Sequence, residues 1–552
     1  MRFLVTVLCV STAWGYRFFQ DEIPNGDIVP HPCKINHIWR GVGHMNPLGG
    51  GSINPFGEDF RKAGMKWNKD LCQMDSDGDG KTNGEELGDP DCVWTKGRAA
   101  AVTLGLSHPG VCTPHSDPTC QAANTWVKCD VGNLQCDALL EEGTRNFTVR
   151  LPETVVPASV TTYLCLLIDL PSDDDYHLIA VEPVLDNVDV IHHIIMYAMD
   201  DSADVDGIPQ PCSKYPFKQF ATLISGWGVG SSGSCYHKTA GIRVGTHGFK
   251  KAILQYHWNN PERRSDYTDS SGLKLYYTPN RRLHDATVLQ VGSEYLEIPP
   301  GEESVSAESW CSNECTSRYL FGPIYVTRAI NHMHHIGRKQ SLQQYRKGVW
   351  IRNITNDERF EYDAYRPFEY SPPLEILPGD DLKTTCTYRS VGRDKTTFKG
   401  DGTGDEMCYV FLSVYPAENV QENSCFSWKS VDLCKILSFS TEFPVIDDCN
   451  VKTLLNPFHP DFISLSTNLK KFCKPFDICT QECKYFVRDL LQNNKCFSGE
   501  TRELYQHMSL KYTTLFAEIW AAIQSCETEL EMDTCQEQCD LDNNKKNVID
   551  QE

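Results

Sequence analysis

Four stretches of this chain carry histidine or methionine side chains able to do metal chemistry. The first is Ile330-Asn331-His332-Met333-His334-His335-Ile336-Gly337-Arg338, a histidine cluster in an apolar, β-leaning run. If residues 325–336 form a strand, His332 and His334 lie two apart and point to one face, so two imidazoles converge and His335 faces the other way. Such a pair suits zinc, copper, iron or nickel. The second stretch, Val188 to Tyr197, holds His192-His193, and the third, Ile253 to Asn260, holds His257. Adjacent histidines on a regular strand face opposite sides, so His192 and His193 share a metal only if the strand is bulged or ends there. Otherwise one is buried and the other exposed. Finally, Asp405-Glu406-Met407-Cys408 opens another strand-like run. A thioether near imidazoles is a soft ligand that favours Cu(I), although a methionine taken alone is more often core filler.

The elements that must position these residues read as strands. Thr161 to Ile168 alternates as a half-buried strand does, and turn signals such as Pro171-Ser172-Asp173-Asp174 punctuate the region. An all-β sandwich region follows. With 552 residues there is length for three or four domains. The formal charge of −22 argues against nucleic-acid or anionic-membrane partners.

Arg2, the apolar run Phe3 to Val10 and the exit Ala13-Trp14-Gly15 form a secretory signal over residues 1–15, giving a mature start at Tyr16. The best later apolar run, Tyr163 to Leu170, is too short to span a membrane. The expected location is outside the cell or a secretory vesicle lumen. Of 25 cysteines, Cys9 falls in the signal, leaving 25 − 1 = 24, an even number that reads as a disulfide framework. Asn146 and Asn353 open glycosylation sequons, which puts both at the surface.

Residues 16–112 form a Gly-, Asn- and Asp-rich module. In it Asp75, Asp77, Asp79, Asn83 and Glu86 occupy positions one, three, five, nine and twelve of an EF-hand loop. Gly80 makes the sixth-position turn and Lys81 holds the seventh, where a backbone carbonyl binds. Gly88-Asp89-Pro90 forbids a normal exit helix, so the expectation is a calcium loop lacking its second helix. The other reading is an acidic turn. Cys72 and Cys92 bracket the loop and can close it, while Cys33 and Cys112 sit near the module's ends. With Gly49-Gly50-Gly51 and Asn54-Pro55-Phe56-Gly57, the module resembles the temptins, secreted pheromone proteins of molluscs. That resemblance implies calcium binding and partner contact, without catalysis.

His192-His193, His257, His332-x-His334 and Met407 before Cys408, taken in order, resemble the copper type II, ascorbate-dependent monooxygenases, the group of dopamine β-hydroxylase and peptidylglycine α-hydroxylating monooxygenase. Thr162-Tyr163-x-Cys165, Gly337-Arg338, and Cys386 with Cys408 flanking the methionine strand belong to the same frame. Over residues 125–430 the resemblance implies two jelly-roll-like β-sandwich domains, 125–295 and 296–430. It implies two copper ions per chain, an electron-transfer copper on His192, His193 and His257 and an oxygen-binding copper on His332, His334 and Met407. The implied reaction hydroxylates an sp3 carbon with O2 and ascorbate. Cys165 and Cys212, like Cys386 and Cys408, are assigned to disulfides. The peptide-amidating branch holds its substrate carboxylate with an arginine two residues before the first histidine of the second site, and with Asn and Tyr after the methionine. Here those positions are Ile330, Tyr409 and Phe411, an apolar aromatic wall unable to pair a buried carboxylate there. A small amine-like aromatic or aliphatic substrate follows, as in the dopamine β-hydroxylase branch, which also shares the Cys311-x-x-x-Cys315 pair.

Residues 431–540 turn to helical spacing, with Cys479-x-x-x-Cys483 and Cys535-x-x-x-Cys539 and an amphipathic run from Thr501 to Cys526. Disulfides are favoured over zinc in an oxidising lumen, and this helical extension packs on the core or mediates a homodimer. Residues 541–552 read as a disordered tail. The competing function is a non-enzymatic, pheromone-like signalling protein whose copper fold is an inactive scaffold.

Overall fold

The computed structural model describes residues 19–530 except 33–37, 48, 51, 115–116, 128–133, 135, 204, 206, 216–219, 229–230, 261–262, 361, 363–366, 403, 438–448, 476–478 and 511–515. The secretory signal, Cys33, Cys535, Cys539 and the polar tail lie outside the described residues. No helix among the described residues is long and apolar enough to cross a membrane.

The chain divides into two compact units. In the first, an N-terminal module packs Ile23, Val29, Val42, Phe56, Phe60 and Leu71 into a small core. Its helices are α1 (Pro55–Lys62), α2 (Lys69–Gln73) and α3 (Asn83–Leu87). The acidic loop joins α2 to α3. An exit helix therefore exists, started by a Thr82–Glu85 capping box and stopped after five residues by Gly88 at φ 80°. Cys72–Cys92 is a disulfide across this loop, and Cys112 bonds Cys120 just beyond the module.

Next come two β-sandwiches. The first has strands β1 (Arg145–Arg150), β2 (Thr161–Asp169), β3 (Asp175–Val184), β4 (Ile191–Met199), β5 (Gln210–Pro211), β6 (Phe220–Gly228), β7 (Ala240–Gly245), β8 (Lys251–Asn259), β9 (Gly272–Thr278) and β10 (His284–Asp285). They form sheets ordered β1-β9-β3-β7-β10 and β5-β2-β8-β4-β6. Inward residues such as Leu166, Ile194, Leu254, Tyr256 and Leu275 make the core, as expected for alternating strands. Cys165–Cys212 joins β2 to the turn after β5, and Cys136–Cys235 closes a longer span.

The second sandwich has β11 (Thr287–Ser293), β12 (Val305–Cys311), β13 (Ile324–His332), β14 (Gly337–Arg346), β15 (Val349–Asp357), β16 (Pro367–Ile376), β17 (Asp380–Tyr388) and β18 (Tyr409–Tyr415). One sheet contains the run β16-β13-β18-β11 and the other is ordered β12-β17-β14-β15. Cys386–Cys408 ties the end of β17 to the residue before β18. The exposed Asn146 and Asn353 lie on β1 and β15.

Polar contacts among the parts of this first unit include the following. Arg40 of the module pairs with Asp189 at 2.7 Å, Arg359 reaches Glu58 of α1 at 3.7 Å, and the Tyr163 hydroxyl donates to the Asp401 carbonyl at 2.9 Å.

The second unit is helical and disulfide-rich, and it includes residues 292–295 and 309–315 besides everything from Cys425. Cys311–Cys425 and Cys315–Cys434 tie those pieces together. Helices α4 (Pro460–Phe472), α5 (Gln481–Asn493) and α6 (Gly499–Leu510) bury Phe462, Leu465, Val487, Leu504 and Tyr505 with Trp520 and Ile523. The Cys479/Cys483 pair does not share a helix face, because Thr480 caps α5 and leaves Cys479 outside. Its sulfurs form Cys479–Cys526 and Cys473–Cys483, beside Cys449–Cys496. Zinc is not needed there.

Candidate metal centres

The first histidine group is built by a bulge. Along the β8–β4 ladder His257 faces His193 but Trp258 faces Ile191, so His192 is the extra residue. A bulge re-aims one side chain, which is how neighbouring histidines come to share a point. The Nδ1 atoms of His192 and His193 are 3.2 Å apart, and those of His193 and His257 are 3.3 Å apart. Nitrogens held ~2.0 Å from a common ion at tetrahedral angles would be ~3.3 Å apart, so the three rings fit a metal of that kind. The Tyr163 ring stacks on His257 at 4.5 Å.

The second group departs from the expected strand. β13 stops at His332, and His334 sits in the turn that follows, where Gly337 N–H donates to the His334 carbonyl. The two rings still meet, 5.4 Å between centroids. What brings His334 round is Glu406. Its fully buried carboxylate accepts the backbone N–H groups of His334 and Ile336 at 2.8 Å each and of Met407 at 3.3 Å. His334 Nδ1 lies 3.0 Å from the Asp405 carbonyl. One carboxylate thus holds the backbone of two expected ligand residues, His334 and Met407, and the Tyr388 hydroxyl donates to the Met407 carbonyl at 2.8 Å. Burial pushes Glu406 up to about 7, opposed by those three donors. Neither Glu406 nor its role was singled out from sequence. The only available signal was an acid next to a candidate ligand inside an apolar run.

Burial, then the neighbouring imidazoles, holds His193 and His257 well below the usual histidine value and brings His332 down to about 3. Burial also lowers His334. Neutral imidazole is the form that binds a metal. Between the groups lies Tyr362, whose ring stacks on His192 at 4.9 Å, meets His334 edge-on at 5.6 Å and lies 4.3 Å from His335. His335, expected on the opposite strand face, is instead in the turn and joins this aromatic contact.

Of the expected wall, Phe411 stands opposite Ile330 on β18 and 5.9 Å from the His332 ring, whereas Tyr409 is buried opposite His332.

In the N-terminal module Asp75, Asp77 and Asp79 bring carboxylate oxygens within 4.8 Å of one another. Gly80, at φ 94°, makes the turn. Asp77 Oδ2, Asn83 Oδ1 and Glu86 Oε2 are buried with no hydrogen-bond partner among the described residues. Burial, then carboxylate neighbours, pushes Asp77 up to about 7 and Glu86 up to about 9. Uncompensated buried oxygens of this kind fit a bound cation.

Comparison with known proteins agrees with this division. The model of the copper type II ascorbate-dependent monooxygenase N-terminal domain matches residues 147–265, that of the C-terminal domain matches 284–436, and the temptin C-terminal model matches 13–111. Residues 147–436 thus carry both domains of the copper type II ascorbate-dependent monooxygenase family, with a temptin module ahead of them. The chain is similar to tyramine beta-hydroxylase of Caenorhabditis briggsae, 30% identical over 48% of this chain and 47% of that protein. Human DBH-like monooxygenase protein 1 is 32% identical over 55% of this chain and 54% of its own. Temptin of Aplysia californica is 56% identical over 20% of this chain and 86% of that protein. The chain spans about half the length of the curated monooxygenase relatives it matches.

Proposed function

We propose that this is a secreted monooxygenase that hydroxylates an sp3 carbon of a small substrate with O2 and ascorbate, using two coppers per chain. His192, His193 and His257 would hold one, and His332, His334 and Met407 the other. In the balanced reaction a C–H bond becomes C–OH and the second oxygen atom leaves as water. Ascorbate gives two electrons and two protons and ends as dehydroascorbate. When bound, the coppers supply the one-electron steps and the O2 chemistry. The observation that carries the reading is the convergence of three imidazoles through Nδ1, facing the His332/His334 pair across Tyr362. The chain's own part is to keep the His193 and His257 rings neutral, hold the spacing of the three and shield the reacting carbon with Ile330 and Phe411. Ten disulfides among the described residues support an oxidising, secretory setting. Copper analysis tests it. We expect two coppers per chain, one after His257→Ala, and no ascorbate-dependent O2 turnover after Met407→Ala. A chain that binds no copper, or a Met407→Ala variant with unchanged turnover, would sink the reading.

The acidic loop would hold calcium through Asp75, Asp77, Asp79, the Lys81 carbonyl, Asn83 and Glu86, supported by the orphaned oxygens. The helical unit, with Phe458 and Tyr485 exposed, would carry self-association. Sedimentation of the full chain tests this, and a monomer at micromolar concentration rules it out. The second reading, a pheromone-like signalling protein on an inactive copper scaffold, draws support from the temptin module. The copper and turnover measurements separate it from the first.

A further inference from the structure

β14 and β15 form a hairpin around Lys347-Gly348, both at positive φ, 53° and 75°. β15 is the edge strand of its sheet. Three residues apart on a regular strand, Trp350 and Asn353 would face opposite sides. The ladder is not regular here. Tyr345 faces Trp350, Gln344 faces Arg352 and Gln343 faces Asn353, so Ile351 is an extra residue. That bulge brings Trp350 and Asn353 to one face, together with Tyr345 and Gln343. Leu342 and Gln344, which alternate with them on β14, are fully buried, so the shared face is the outer one.

Asn353 is exposed and opens the triplet Asn353-Ile354-Thr355. Its Oδ1 accepts the Trp350 Nε1–H at 3.4 Å and a Gln343 Nε2–H at 3.3 Å. The Tyr345 hydroxyl donates to Gln343 Oε1 at 3.0 Å and so sets which end of that amide points to Asn353. Two donors therefore hold the carbonyl end of Asn353. Its Nδ2 makes no hydrogen bond among the described residues and remains open to substitution. Nδ2 is the atom to which a sugar is joined in an Asn-x-Thr triplet. Trp350, 53% exposed, stands beside it on the same face, its indole edge already on the Asn353 amide.

We propose that Asn353 carries an N-linked glycan whose first sugar, an N-acetylglucosamine, packs the C–H groups of one face on the Trp350 indole. An aromatic face carries negative potential and attracts such hydrogens, and the packing takes apolar ring area out of water. The transfer forms a bond from Asn353 Nδ2 to C1 of the sugar and breaks the bond from C1 to the pyrophosphate of a lipid-linked oligosaccharide. The lipid pyrophosphate leaves, and the amide gives up one proton. A bulky group on this edge strand also stands in the way of strand pairing with a second chain. This glycan rests on the secretory reading and not on the hydroxylase one.

The test uses the full chain secreted from animal cells that build only oligomannose glycans. Glycopeptide mass spectrometry reads occupancy at Asn353, with Asn146 as the control, and Asn353 should be occupied. Both bare would refute the secretory reading together with the proposal, whereas Asn146 occupied and Asn353 bare overturns the proposal alone. Endoglycosidase H then trims each glycan to one N-acetylglucosamine, whose acetyl and ring protons are followed by NMR in isotope-labelled sugar. The signals lost in Asn353→Gln belong to that position. They should lie upfield of those from the same sugar on an unfolded peptide, the ring-current signature of a stack. Trp350→Ala should abolish the upfield shift and Trp350→Phe keep part of it. Should the Ala variant not fold, the parent and the Phe variant decide. An Asn353 sugar with no upfield shift in the parent, or with the same shift after Trp350→Ala, overturns the proposal.

Discussion

Glu406 is the acid on which the second histidine group depends, because its two oxygens take three backbone N–H groups from two segments some seventy residues apart. Glutamine in its place offers one acceptor oxygen and turns an NH2 toward the backbone donors, so one main-chain N–H is left facing another donor. Glu406→Gln should therefore lower copper affinity at that group by ~10- to 100-fold, the usual scale for a group that orients a ligand. The three-imidazole group should keep its copper. Chelator competition on the copper-loaded protein reads both, and equal weakening of the two would show that Glu406 has only a general effect on stability. All five histidines were legible as residue types and spacings. The bulge at His192 was legible only as a requirement, since a regular strand splits the pair. The turn at His334 was not legible at all, because its hydrogen-bond acceptor comes from a distant part of the chain.

Among the elements, the loop between α2 and α3 and the disulfide before β18 make separate predictions. Without a cation, Asp77 and Glu86 have folded values raised above their unfolded ones. The folded loop then binds more protons than the unfolded chain between about pH 4 and 9, so stability falls as pH rises through that window. Calcium stabilises the ionised forms and should reverse the trend. Melting of the chelator-treated chain should drop from pH 5 to 9, and added calcium should restore it most at the alkaline end; identical curves with and without calcium would remove calcium from the loop. Cys386–Cys408 closes 22 residues, so replacing both by serine should cost about 3 kcal/mol by chain entropy, read by denaturant unfolding. The loop pattern was legible because every ligand position is local in sequence. The exit helix was underestimated, since Gly88-Asp89-Pro90 sets where it stops while the Thr82–Glu85 box decides that it starts. The Cys479/Cys483 spacing misled for a related reason. Thr480 begins the helix between the two, and cap geometry depends on backbone angles that spacing does not reveal.

At the scale of the whole molecule, an all-β region and the helical unit follow from strand alternation and helical spacing, which are period-level signals, while the division into two sandwiches comes from the resemblance alone. Which residue spans the two histidine groups follows from neither, because Tyr362 sits in an irregular connection between β15 and β16 with no periodicity to mark it. Tyr362→Ala should loosen the arrangement of His192 and His334 without removing a ligand, so O2 consumed per product should rise while copper content stays that of the parent. Tyr362→Phe, which keeps the ring, should behave as the parent, and an Ala variant with the parent's ratio would take Tyr362 out of the path. The N-terminal module makes one ion pair beside each group, Arg40 with Asp189 just ahead of His192 and Glu58 with Arg359 just ahead of Tyr362. Both pairs are substantially exposed to water, where dissolved ions weaken them. Ionic strength, which does not alter the donor set of either centre, thus becomes an external control on how firmly the segments beside them are braced.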